Sequence, residues 1–334
     1  MTARTRMSST PRPVASLSLD VDNLWSYLKI HGDPAWSSRP SYLDRFIPHV
    51  LGALEELGLR ITFFIVGRDA AEDANGAALR SIATAGHEVG NHSFEHEPWL
   101  HTYSPEQVRR ELQDADAAIR AATGLRPVGF RGPGFSWSPE VLRAVAELDY
   151  AFDASTFPTF LGPLARAYYF ATAKLTPEER EQRKALFGGL AEGLRPLDPY
   201  RWSLGDGRSL LEIPVTTMPV ARLPFHLSYL VYLSRVSEGL AMAYLHAALG
   251  LCRATGTEPS FLLHPLDLIG GDLAPQLRFF PGMDVDSERK TRFFQRVLRA
   301  LNEGFELVPM GEHAGRIAAR ERLPQRALPA GAAA

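Results

Sequence analysis

The segment GHEVGNHSFEH, residues 86–96, places two imidazoles, His92 and His96, directly after a short apolar run. A run of this length bounded by glycine predicts a strand that passes into a loop. Parallel α/β folds build their sites at strand ends of this kind. On its own the pair is weak evidence, because a polar turn that happens to hold two histidines is the commoner reason for such spacing. Its meaning depends on what else reaches the same point.

On both sides of the segment, strand-like and helix-like runs alternate, which predicts an α/β fold with a largely parallel sheet. Val14–Leu19 alternates and ends at Asp20, and RITFFIVG (60–67) reads as a second buried strand. Residues 42–58 carry apolar positions at helical spacing and stop at Gly58; residues 76–85 read as another helix. Ser104 followed by Pro105 opens a helix that closes at Gly124, and SPEVLRAVAELDY repeats that grammar. VGFRGPG and YAFDAS predict short strands, as do LLEIPVTTMP (210–219), PSFLLHPLDL and FELVPM. Residues about 157–209 break the rhythm and read as an inserted helical segment beside the core. The stretch 227–251 is mostly apolar but contains Arg235 and Glu238, too polar a middle for a span of roughly 20 apolar residues. A buried helix and an interfacial helix in peripheral membrane contact both fit it.

Of 334 residues, 45% are hydrophobic and 22% charged, an ordinary globular composition for a single domain over 14–312. Residues 1–13 and 313–334 read as flexible ends, the latter because LPQRALPAGAAA lacks core-forming side chains. The net charge of −2 gives no electrostatic case for nucleic acid. One cysteine, Cys252, excludes an internal disulfide and a thiolate cage, and it reads as a small buried hydrophobe. With no long apolar run near the N-terminus, the cytoplasm is the expected compartment. The oligomeric state is not readable.

Four segments put chemically useful residues after strand-like runs: LSLDVDN with Asp20 and Asp22, GNHSFEH, GFRGPGF with Arg131, and FLLHP with His264. Asp20 and Asp22 are two apart, so in a continuing strand they share a face. Two imidazoles and one carboxylate form an open donor set for Zn²⁺. A second carboxylate, a separate histidine and an arginine then supply a base, an acid and an orienting fork for amide or ester hydrolysis.

In order and content these segments resemble the polysaccharide deacetylases of carbohydrate esterase family 4, the NodB-like group, over about residues 14–270. GHEVGNHSFEH is the most specific match, alongside SLDVDN, TFFIVG, FRGPGF and FLLHP. FDASTFP with the later LLEIPVTT resembles the exopolysaccharide deacetylase branch. The resemblance implies a distorted (β/α) barrel and a divalent metal, foremost Zn²⁺. Asp20 is then the catalytic base, Asp22, His92 and His96 the metal ligands, Arg131 the orienter of Asp20, and His264 the general acid. Pro133 shapes a loop in which the Gly134 N–H helps to stabilise an oxyanion. Val21 separates the aspartates where the family usually has them adjacent, which leaves exchange of their roles open. The family's Asp-Trp support of the acid histidine has no clear match; Glu212 and Asp153 are candidates, though either also suits a strand cap. No role falls to Asp149 or Asp267. His31, His49, His101, His226, His246 and His313 read as surface or packing residues. WSYLKIHGDPAW (25–36) reads as a lining of the cleft or a surface loop.

The implied activity is removal of an N-acyl group, acetyl first, from an amino sugar in a polysaccharide or lipid-linked glycan. The alternatives are deformylation or amide hydrolysis on a small or polyprenyl-phosphate-linked substrate, and a catalytically silent glycan binder.

Overall fold

The structure, a computed structural model, describes residues 12–173, 175–182 and 189–329. The sequence-predicted flexible end 1–13 lies outside the described residues up to position 11, as does the tail from 330 onward.

Strand β1 (Val14–Val21) is buried along its whole length, as a strand covered on both faces must be. Its period of two sorts the chemistry: Ala15, Leu17, Leu19 and Val21 join the main apolar core, while Ser16, Ser18 and Asp20 alternate with them. Helices α1 (Leu24–His31) and α2 (Leu43–Glu55) follow, then β2 (Thr62–Ile65), α3 (Gly67–Ala70), α4 (Gly76–Thr84) and β3 (Glu88–Asn91). Helix α5 (Pro105–Thr123) opens with a full capping box between Ser104 and Gln107 and ends at the left-handed Gly124. Next come β4 (Gly129–Phe130), α6 (Pro139–Glu147) and β5 (Phe152–Asp153).

The insertion holds α7 (Gly162–Thr172) and α8 (Pro177–Gln182), but it returns to the sheet earlier than its composition suggests. Strand β6 (Tyr200–Ser203) pairs antiparallel with β7 (Ser209–Glu212). The apolar stretch 227–251 is not one helix. Ser237 caps a new start, so α9 (Leu227–Ser234) and α10 (Glu238–Thr255) are separate. No helix among the described residues is long and apolar enough to cross a membrane. Strand β8 (Ser260–Leu263), α11 (Ser287–Gly304), β9 (Glu306–Pro309) and α12 (Met310–Ala318) complete the core. The predicted flexible tail from 313 is corrected in part. Helix α12 runs through it to Ala318, where Ala314 and Ile317 are buried, and β10 (Gln325–Ala327) pairs with β6.

The sheet order is β10-β6-β7-β5-β4-β3-β2-β1-β8, with β9 also on β1; all neighbours from β7 to β8 are parallel. Its two flanks approach each other without a ladder: the Thr216 N–H donates to the Ser260 carbonyl (3.1 Å), and the Ser260 N–H donates to Thr216 Oγ1 (2.8 Å). Register sets the site. Asp20 pairs with Phe64, Ile65 with Asn91, Asn91 with Phe130 and Leu19 with Leu263, so the carboxyl ends of five strands lie level.

Candidate active site

Each site residue leaves the sheet at that level. Asp20 is the last but one residue of β1, and Asp22, His92, Arg131 and His264 directly follow β1, β3, β4 and β8. Arg131 is fully buried. Its Nη1 donates to Asp20 Oδ1 (2.7 Å) and Ser18 Oγ (2.9 Å), its Nε to the Ala154 carbonyl (3.2 Å), and its guanidinium lies 4.4 Å over the Phe64 ring. A charge this deep is tolerable only with such partners. Asp20 therefore has one oxygen pinned. The other, Oδ2, lies 3.9 Å from His92 Nε2 and 3.9 Å from His264 Nε2.

His92 is oriented by its far nitrogen: Nδ1 lies 2.6 Å from the Arg131 carbonyl, which can only accept. The proton is thereby assigned to Nδ1, and the Nε2 lone pair faces Asp22 Oδ1 at 3.5 Å. His96 Nε2 lies 2.9 Å from the same oxygen. Asp22, His92 and His96 each offer a ligand atom within 4.8 Å of the others, the one such group among the described residues. Asp22 Oδ1 is buried yet accepts no aligned hydrogen bond. An orphaned carboxylate oxygen between two imidazoles fits a divalent cation, whose charge satisfies all three donors. Burial raises the Asp22 carboxyl, but the His96 and His92 imidazoles outweigh it and hold it well below the usual carboxylate range. For His92, burial works against the charged form, and the carboxylates of Asp20 and Asp22 override it and raise its pKa. His96 goes the other way, because burial dominates.

The loop carrying the second imidazole is tightly bent. Ser93 and His96 both have left-handed backbones, with φ of 59° and 53°. The Glu111 carboxylate of α5 accepts the N–H groups of Phe94 and Glu95 (3.0 and 2.9 Å), and Asn91 Oδ1 accepts that of Ser93 (2.8 Å). Behind Asp22, Tyr42 donates its hydroxyl to the Asp22 carbonyl (2.5 Å), and Asn23 Nδ2 donates to the buried Asp69 (2.7 Å). Helix α1 falls on the segment read as a lining or a surface loop: Trp25 is buried, and its Nε1 donates to Asp69 (2.8 Å).

Two expectations for the acid histidine change. Glu212 and Asp153 do not stand behind His264. Asp153 accepts from the Ser155 hydroxyl (2.7 Å), and Ser155 in turn accepts the Gly132 N–H (2.9 Å). Glu212 accepts from Thr156 Oγ1 (2.6 Å) and Trp202 Nε1 (3.0 Å). Burial and the neighbouring Asp153 push Glu212 well above its usual range. The pair holds the segment after β5 through Ser155 and Thr156, and Ser155 in turn reaches Gly132 in the loop after β4. The carboxylate beside His264 is Asp267, to which sequence reading assigned nothing. It accepts the His264 backbone N–H at 2.8 Å and lies 4.0 Å from Nδ1, while Ser228 Oγ is 3.2 Å from that nitrogen. Asp three residues after His across a proline is a helix-cap pattern, the signal that could have found it.

The second omission is His226. It is 5% exposed, its ring centroid is 5.9 Å from that of His264, and its Nδ1 has no hydrogen-bond partner. Burial, then the charges of His264 and Arg131, hold it well below its ordinary pKa and so neutral. Pro133–Phe135 forms a short 3-10 turn with Gly134 at φ 58°. The Gly134 N–H has no partner among the described residues. Cys252 is buried, as expected, and burial pushes its thiol up to about 12.

Residues 33–152 match the family model for polysaccharide deacetylase, a span that includes His92, His96 and Arg131 but not Asp20, Asp22 or His264. A chitooligosaccharide deacetylase of Sinorhizobium fredii is 35% identical over 107 residues, 32% of this chain and 48% of the relative. A peptidoglycan-N-acetylglucosamine deacetylase of Bacillus cereus is 28% identical over 26% of this chain and 31% of its own. The chain thus spans about half or less of the length of these relatives. In fold it is similar to an assigned polysaccharide deacetylase of Mycobacterium smegmatis (TM-score 0.61, 19% identity, 97% of both chains). The PuuE allantoinase has a TM-score of 0.54 at 15% identity, over 94% of this chain and 95% of that one. In sequence, the segment 33–152 is thus similar to polysaccharide deacetylases, and the chain as a whole is similar in fold to the Mycobacterium smegmatis structure.

Proposed function

We propose that the protein is a metal-dependent hydrolase that removes an N-acetyl group from an amino sugar. The observation that carries this reading is the position of Asp20. One oxygen is fixed by Arg131 at 2.7 Å, and the free one is 3.9 Å from both a metal-facing imidazole and a second, separate imidazole. Asp22, His92 and His96 would hold the ion, and a donor set of two nitrogens and one oxygen suits zinc. When bound, the ion supplies Lewis acidity toward the amide carbonyl and the attacking water.

The chain's own groups divide the remaining work. Asp20 Oδ2 accepts the proton of the water that adds to the carbonyl carbon. Arg131 keeps that carboxylate aimed. The Gly134 N–H donates to the carbonyl oxygen as negative charge develops, an interaction typically worth ~3–4 kcal/mol in the barrier. His264 gives a proton to the nitrogen as the C–N bond breaks, leaving acetate and a free amine. Asp267 and Ser228 fix the His264 ring from behind. An N-acylated sugar is the partner this chemistry requires. A lipid-linked form of it is the finer variant, supported by the mainly apolar cleft that opens beside His264.

Zinc-loaded protein assayed for acetate release from N-acetylglucosamine oligosaccharides tests the reading. Release is expected, with a loss of at least ~100-fold in Asp20→Asn and His264→Ala while the far-ultraviolet spectrum is unchanged. Undiminished release in both folded variants would sink it.

A further inference from the structure

A cleft of about 610 Å³ opens beside the site, lined by Asp22, His264 and a mainly apolar wall. That wall combines Tyr27, Leu164, Tyr229, Tyr232, Leu266 and Phe280, contributed by α1, the insertion, α9 and the loops after β8. Leu164 is 67% exposed and Tyr232 41%, so apolar surface faces solvent where a sugar's hydroxyl groups would find few partners. The polar exceptions cluster at His264: Ser228, Asp267 and the unpartnered His226, whose ring packs 4.8 Å from that of Tyr229.

We infer that this cleft is a subsite for an apolar substituent carried on the amine side of the substrate, such as an alkyl or aryl aglycone of the amino sugar. The inference rests on the deacetylase reading for its orientation. His264 there protonates the departing nitrogen, and most of the cleft wall comes from α9 and the loop after β8, the two segments around His264. The Pro133–Gly134 loop, which faces the acyl oxygen in that reading, contributes nothing to the lining among the described residues. The amine side of the amide therefore lies nearer the apolar wall. Each methylene withdrawn from water there contributes roughly fourfold in affinity.

The test uses zinc-loaded full-length protein and three compounds: the methyl and octyl β-glycosides of N-acetylglucosamine, and the N-octanoyl methyl glycoside. In parallel, calorimetry measures binding of the two deacetylated products, methyl and octyl β-glucosaminide. The octyl glycoside is expected to exceed the methyl glycoside by at least ~10-fold in kcat/KM, and its product by a similar factor in affinity. In Leu164→Asp and Tyr232→Ser, both changes at exposed positions, those ratios should fall to within about twofold. Hydrolysis of both glycosides at equal kcat/KM overturns the subsite and leaves the deacetylase reading intact. A gain confined to the N-octanoyl compound also overturns it, by putting the apolar group on the acyl side. Tenfold tighter product binding with no hydrolysis of any compound overturns the deacetylase reading and supports the subsite.

Discussion

Asp69 shows how much a single buried carboxyl can store. It accepts from Asn23 and Trp25, its other oxygen has no partner, and burial pushes its pKa up to about 7. A group whose folded pKa is raised contributes stability that is complete below its unfolded value near 4 and is lost as pH rises through 7. Asp69→Asn keeps the acceptor oxygen and removes the titration. Urea unfolding is expected to find the variant more stable relative to the parent at pH 8 than at pH 5, by at most roughly 3 kcal/mol. An unchanged difference at the two pH values would contradict this. Arg131 makes the opposite case. Arg131→Met strands Asp20 without its cation and should lower unfolding free energy by ~3–5 kcal/mol; a loss under ~1 kcal/mol would show that the pair carries no such weight. Arg131, the histidine pair and His264 stood out in the sequence because polar side chains after apolar runs are conspicuous. Asp267, His226 and Glu111 did not, because their meaning comes from what packs against them: a histidine ring, an aromatic cleft and two loop N–H groups.

At the scale of elements, the segment between β3 and α5 carries the site's geometry. Its left-handed residues Ser93 and His96 are held by Glu111 and Asn91 from regular elements on either side. Helix α3 must approach α5 closely for this arrangement, and Gly67 permits it. A Cβ there would lie 2.6 Å from Ala115 Cα and 2.6 Å from the Phe94 ring. The first of these is backbone and cannot rotate away. Gly67→Ala is expected to cost ~1–3 kcal/mol of stability in urea unfolding, the range of overpacking. A change under ~0.5 kcal/mol would mean the helices part freely. The strong helices were legible from caps: Ser104, Ser138 and Gly124 act as their positions suggest. Helix α1 was not, because its aromatic residues bury against Asp69 and the aliphatic core and show no clean stripe. The single apolar run at 227–251 concealed a break at Ser237, whose side chain accepts the Leu240 N–H to start α10, because one serine in a long apolar run does not announce a cap.

For the whole molecule, a parallel sheet was legible because strands and helices alternate, and strand ends in such a sheet must converge. The way its flanks meet was not: two hydrogen bonds between Thr216 and Ser260 depend on long-range geometry that no local pattern encodes. Nor was β10, whose Gln325–Ala327 is exposed and defined by its partner β6 alone. The convergence of Asp22 with His92 and His96 is the central claim, because two loops distant in sequence, after β1 and after β3, must meet on one ion. Calorimetric titration of zinc into ion-stripped protein tests it most directly. One equivalent should bind to the parent, and Asp22→Ala and His92→Ala should each lose at least ~100-fold in affinity while remaining folded. Zinc binding of the same stoichiometry and affinity in both variants would contradict the account.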